Sequence, residues 1–234
     1  MYCAMFGNIV KSRDASPITR DETQRKKRET FVCINEEYAS NVAVPFSIIK
    51  GDSFEGILHS ATECLEIAMR IVRAIHPMCI RIAFGLGSLS TIPDPNNEDV
   101  NEADGPAMYC ARAALDELTK ETKRNEAKRR SKKTGWFNMA IAAEEKSRFA
   151  TTVLLINGLF ALLSAVTDGW TQKQLTVVWT MADFNDKQRS VAAALGNTPS
   201  AISTTLKSAN YDAYKKAWNA LKDYLLLESN ALEQ

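Results

Sequence analysis

"VPFSIIKGDSFEGILH", residues 44–59, carries two apolar runs on either side of a Gly51-Asp52 pair. Glycine reaches the positive-φ backbone that a tight reversal needs and aspartate favours turns, so the pair predicts a hairpin of antiparallel strands. Upstream, "YCAMFGNIV" (2–10) is an apolar run of strand length, and residues 19–39 follow as a helix whose apolar face lies in "FVCINEEY". Downstream, "ATECLEIAMRIVRAI" (61–75) sets Cys64, Leu65, Ala68, Ile71, Val72 and Ile75 on one helical face. Pro77 ends that helix, and "CIRIAFGLGSL" (79–89) supplies a fourth strand. The order βαββαβ closes as an antiparallel sheet with both helices on one face, a ferredoxin-like α+β arrangement. RNA-recognition domains and polymerase palms share that scaffold, so the scaffold leaves function open.

The chain is large enough for a substantial core, with 234 residues of which 45% are hydrophobic. Its 29 basic and 28 acidic residues give a formal charge of +1, which excludes a global attraction to nucleic acid or anionic membranes. Any such affinity is local. Cys3, Cys33, Cys64, Cys79 and Cys110 stand singly among apolar neighbours without metal or redox spacing, as reduced core residues of a cytoplasmic protein do. "MYCAMFGNIV" has none of the features of a signal peptide. "FATTVLLINGLFALLSAV" (149–166) is interrupted by Thr151, Thr152, Asn157, Gly158 and Ser164 and is expected to be a buried helix, not a membrane span.

Residues 91–104 are polar and proline-bearing, a loop, with Asp104 expected to cap a helix that starts near Pro106. Between Lys120 and Lys133, eight basic residues stand against two acidic ones, either a solvated helix end or a phosphate-binding arm. "GWFNMAIAA" (135–143) reads as a fifth, edge strand. From Glu144 the pattern is helical throughout, which divides the chain into a sheet unit, 1–142, and an all-helical unit, 143–234. In "VAAALGNTPSAISTTL" (191–206), Val191, Ala192, Leu195, Ile202 and Leu206 are spaced for two short helices packed at a steep angle, with Gly196 in the turn. This is a helix-turn-helix pattern, spanning about 187–208. Thr198 or Ser200 caps its second helix, which presents Ser200, Ser203, Thr204 and Lys207 to DNA. Over residues 171–227 seven basic against four acidic residues leave +3, modest for a monomer and doubled in a dimer. A helical hairpin for protein contact is the other reading.

Asp52 has a structural and a chemical reading. A turn carboxylate can cap the amides of its own turn. Alternatively, the first strand lies centrally beside the hairpin, so that its "FGNIVKSR" exit sets Asn8 near Asp52. Two oxygen ligands so placed hold Mg2+ or Mn2+ against a triphosphate in palm-type domains, and Lys11, Ser12 and Arg13 follow, suited to phosphate contact. His59 and His76 end apolar elements with no nucleophile partner, and no P-loop, GxSxG or HExxH motif occurs. Gly85-Leu86-Gly87 alone defines no phosphate loop.

"GNIVKSR" (7–13), "KGDSFEGIL" (50–58), "IRIAFGLGSL" (80–89) and "ADGPAMYCARAAL" (103–115), with Trp170-Thr171-x-Lys173-Gln174 and the helix-turn-helix, together resemble the SatD family of bacterial proteins over nearly the whole chain. The N-terminal half of that family is in turn similar to the class III nucleotide cyclase domain. There a first-strand Asp and a hairpin Asp bind two metals, and an Asn…Arg helix completes the site across a dimer. Asp52 matches the hairpin Asp and Arg112 the helix Arg, while Asn8 stands at the first metal position and Met108 replaces the helix Asn. The resemblance implies a homodimer with a nucleotide or metal site at Asn8, Asp52, Ser12, Arg13 and Arg112, weakened toward metal by Asn8. The expected function is a cytoplasmic DNA-binding regulator whose first unit senses a nucleotide or dimerises. The alternatives are a metal-dependent nucleotidyl cyclase or transferase acting on NTPs, and a non-catalytic protein-interaction module.

Overall fold

A computed structural model describes residues 1–10, 17–49, 51–92, 103–128, 137–145 and 150–230. The hairpin joins β2 (Val42–Ile48) to β3 (Ser53–Leu58), with Gly51 at φ +50 in the reversal. β1 (Tyr2–Ile9) runs antiparallel to β3 on one side and to β4 (Ile80–Gly87) on the other. The order β2-β3-β1-β4 is the ferredoxin-like one, and β5 (Phe137–Ala143) extends it as an edge strand parallel to β4.

Two helices cover one face of the sheet, α1 (Pro17–Glu37) and α2 (Cys64–Ile75), and α3 (Pro106–Lys128) covers the other. The alternation of β1 explains the division. Cys3 and Met5 join the large core under α1 and α2, whereas Ala4 and Phe6 pack against Ala107, Met108 and Ala111 of α3. A Cβ on Gly85 would lie 2.1 Å from the Ala107 carbonyl oxygen and 2.2 Å from the Ala111 nitrogen. The Gly85-Leu86-Gly87 run is therefore explained by the close approach of α3.

The helical segment comprises α4 (Val153–Thr167), α5 (Gln172–Asp183), α6 (Gln188–Ala194), α7 (Pro199–Ser208) and α8 (Tyr211–Asn230). One core cluster holds Phe84 and Phe137 of the sheet together with Phe160 of α4 and Tyr214 and Leu221 of α8. Successive ring contacts of 5.0–6.2 Å link Trp170, Tyr214, Trp218, Phe137, Phe160 and Phe84. α4 buries Ile156, Phe160 and Leu163 and leaves Leu154 80% exposed. Among the described residues no helix is long and apolar enough to cross a membrane.

Both rims of the sheet are tied to a helix by an asparagine. Asn35 of α1 donates to the Phe46 carbonyl (3.1 Å) and accepts from the Phe46 amide (2.8 Å), on edge strand β2. Asn157 of α4 does the same to Ile141 on β5, at 2.9 Å both ways. Each side-chain amide completes the backbone pairing that a further strand would otherwise supply.

Several expectations need correction. The second helix begins at Cys64, and Ala61–Glu63 belong to the turn before it. Cys33 is exposed, because Phe31 and Ile34 take the buried face of α1; Cys3 and Cys64 are buried as expected. Asp104 is one residue too early to cap α3, since Gly105 directly precedes Pro106, and its carboxylate instead accepts the Tyr109 hydroxyl at 2.7 Å. The loop at 93–102 and the basic residues 129–133 lie outside the described residues.

Candidate functional site

The expected site lies where β1 ends, the hairpin turns and β4 begins. Backbone pairing assembles it: the Ile9 amide donates to the Asp52 carbonyl at 3.0 Å, and Asn8 faces Ser53 on one side and Arg81 on the other. Asn8 and the hairpin tip are thus neighbours, as their sequence positions predict. Ser12 and Arg13, with Lys11, lie outside the described residues.

Two cations absent from the sequence reading approach this end from opposite faces. Thr23, Lys27, Phe31 and Ile34 share the buried stripe of α1 at helical spacing, and Lys27 is 0% exposed. Its ammonium donates to the Gly51 carbonyl at 2.9 Å, beside a second donor, the Gln24 amide. Burial pulls the Lys27 pKa from the usual 10.5 down to about 8, with Arg28 acting in the same direction and the Asp52 charge acting against both. From the α3 face comes Arg81, only 8% exposed. Its guanidinium donates to the Asn8 side-chain oxygen at 3.2 Å and to Thr122 Oγ1 at 3.3 Å, and Thr122 donates onward to the Leu118 carbonyl at 2.7 Å.

This arrangement does not fit a two-metal centre. Asn8 brings no charge and its oxygen accepts from a guanidinium, while the Lys27 ammonium, tied to the adjacent Gly51 carbonyl, interacts electrostatically with Asp52, so each of the two residues already has a cationic neighbour. Arg112 is brought to the same face but farther along β1: its guanidinium lies 5.5 Å from the Phe6 ring and 4.0 Å from Glu55. It is 62% exposed, against 18% for Glu55. Glu55 thus faces α3 with a cationic neighbour, and Met108 is buried beneath the helix. The signals that could have found them are that Arg81 is the one charge in an otherwise apolar strand and that Lys27 is spaced at helical intervals from Phe31 and Ile34.

The second candidate surface is on α7. Val191, Ala192, Ile202 and Leu206 are buried where α6 meets α7, Gly196 takes φ +61 between them, and Leu195 is half-buried. Thr198 is the N-cap, accepting from the Ala201 amide at 3.2 Å; Ser200 sits inside the first turn and bonds Thr198 at 3.1 Å. Ser200, Thr204 and Lys207 are exposed and Ser203 is half-buried. Asp186 accepts the Tyr211 hydroxyl and pairs with Lys215, pinning the turn before α6 onto α8. Burial, with that carboxylate second, raises the Tyr211 pKa. Lys222 pairs with Glu66 and Asp183 with Arg73, both across to α2.

His76 packs edge-on to Trp179 at 5.0 Å. The solved structures similar to part of the chain include two guanylyl cyclases. The catalytic core of a rhodopsin-guanylyl cyclase with converted specificity, in complex with ATPαS, aligns at TM-score 0.39 and 16% identity over 49% of this chain and 70% of that one. The guanylate cyclase domain of RhGC from Catenaria anguillulae, in complex with GTP, aligns at TM-score 0.31 and 17% identity over 41% of this chain and 62% of that one. No curated protein matches. The SatD family model matches residues 2–225, and the chain accordingly belongs to the SatD family.

Proposed function

We propose that this chain is a cytoplasmic DNA-binding regulator: a helical unit, 143–234, binds DNA through α6 and α7 as a helix-turn-helix, and a sheet unit, 1–142, senses a nucleotide or dimerises. The observation that carries the DNA reading is the outward stripe Ser200, Thr204, Lys207 on a helix whose opposite side is packed on α6. Hydroxyls near a helix N-terminus reach phosphate oxygens or base edges, and a lysine one turn later neutralises a phosphate. Charge placement supports the reading. Lys173, Lys187, Arg189 and Lys216 are exposed around the same helices, while Asp183 and Asp186 are paired with Arg73 and Lys215. Dimerisation places two such surfaces on one duplex. Nucleotide binding is favoured over turnover, because Asn8 and Asp52 face Arg81 and Lys27.

Fluorescence anisotropy with genomic DNA fragments across a salt series tests the DNA reading. Binding should weaken linearly in log-log form with salt, and Lys207→Ala should lower the slope by about one per protomer bound. Absence of any salt-dependent binding would remove the reading.

A further inference from the structure

We infer that the hairpin end of the sheet takes a polyphosphate anion without a divalent metal ion, because Lys27 and Arg81 stand as tethered cations where bound metals would otherwise supply positive charge. The inference rests on the nucleotide-binding reading and deepens it.

Lys27 reaches the tip from the α1 face, bonded to the Gly51 carbonyl, and Arg81 reaches the end of β1 from the α3 face, bonded to Asn8 and Thr122. Between them Asn8 is neutral and Asp52 carries one negative charge. Two cations against one carboxylate leave this group of four residues net positive before any ligand arrives. A divalent ion would enter against that charge, whereas a triphosphate is drawn by it. Neither cation needs to touch the ligand. Both are buried, at 0% and 8% exposure, so water screens them weakly and their field persists at the exposed tip, where Gly51 meets solvent. Their fixed hydrogen bonds hold them in place before binding, as a diffusing ion is not held.

The decisive probe is inorganic triphosphate, with GTP and ATP beside it, titrated into the full chain by calorimetry and thermal shift in excess EDTA and again in excess Mg2+. Affinity in EDTA should be within about threefold of that in Mg2+ or tighter. Asp52→Asn, which keeps the side chain's shape and removes the opposing charge, should tighten triphosphate binding in EDTA by threefold or more. Lys27→Met should weaken it about tenfold. Binding that requires Mg2+ or Mn2+ and disappears in Asp52→Asn overturns the inference while leaving the nucleotide reading intact. Binding in EDTA that neither Asp52→Asn nor Lys27→Met alters also overturns it, since the anion then sits elsewhere. If none of the three anions binds under either condition, the nucleotide reading itself fails, and the inference with it.

Discussion

Lys27 sits on the stripe of α1 that buries Phe31 and Ile34, and its position has a measurable consequence for stability. Its pKa near 8 in the folded chain lies below the usual 10.5, so the unfolded chain holds the proton more tightly. Below pH 8 the folded state carries the cost of a buried ammonium. Between about pH 8 and 10.5 folding releases the proton, and stability from this group rises with pH by at most about 3 kcal/mol. Urea titrations at pH 7.5, 9 and 10 should show that rise in wild type and a flatter profile in Lys27→Met; parallel profiles would show that Lys27 does not carry it. The residue hid in the sequence because "RKKRE" (25–29) reads as a solvated charge run, and only the position of Lys27 four residues before Phe31 marks it as inward-facing. Asn8 and Asp52 were legible because strand order places them together. The side chains that answer them come from helices and from β4, whose docking no local pattern specifies.

Among the elements, α3 brings its backbone against β4 at Gly85, and the two glycines Gly85 and Gly158 make opposite predictions. Gly85→Ala forces a methyl group into the backbone of α3 at Ala107 and Ala111, which a side-chain rotation cannot relieve. It should destabilise the chain by about 3 kcal/mol or more. In the middle of α4 nothing lies within 4 Å of a Cβ built on Gly158, so Gly158→Ala should be neutral or stabilise by up to about 1 kcal/mol through helix propensity. Chemical denaturation of the two variants decides both, and equal effects would contradict the packing described. Elements were the most legible scale in the sequence. Hairpin, strand order, the helical character of the C-terminal segment and the two short helices around Gly196 follow from periodicity and turn residues, with ends displaced by a few residues where caps compete. Why Gly85 is a glycine was not legible, since the reason lies in Ala107 and Ala111, more than twenty residues away.

For the whole molecule, the aromatic chain from Trp170 through Phe137 to Phe84 and the ion pairs of α2 with Asp183 and Lys222 join the sheet to the C-terminal helices. Sheet and helices should therefore unfold together. Tryptophan fluorescence, carried by Trp136 and by Trp170, Trp179 and Trp218 of the helical segment, and far-ultraviolet circular dichroism should trace one coincident transition in urea. Two separated transitions would mean that this shared core does not couple the halves. A further consequence follows from the paired asparagines on β2 and β5. Cross-β fibres grow when a rim offers unanswered amides as a template for the next chain. Here the incoming chain meets, at Phe46 and at Ile141, a backbone already answered by Asn35 and Asn157. Replacing Asn157 with leucine would reopen one rim to templated growth, and thioflavin-positive fibrils should form sooner than in wild type under agitation.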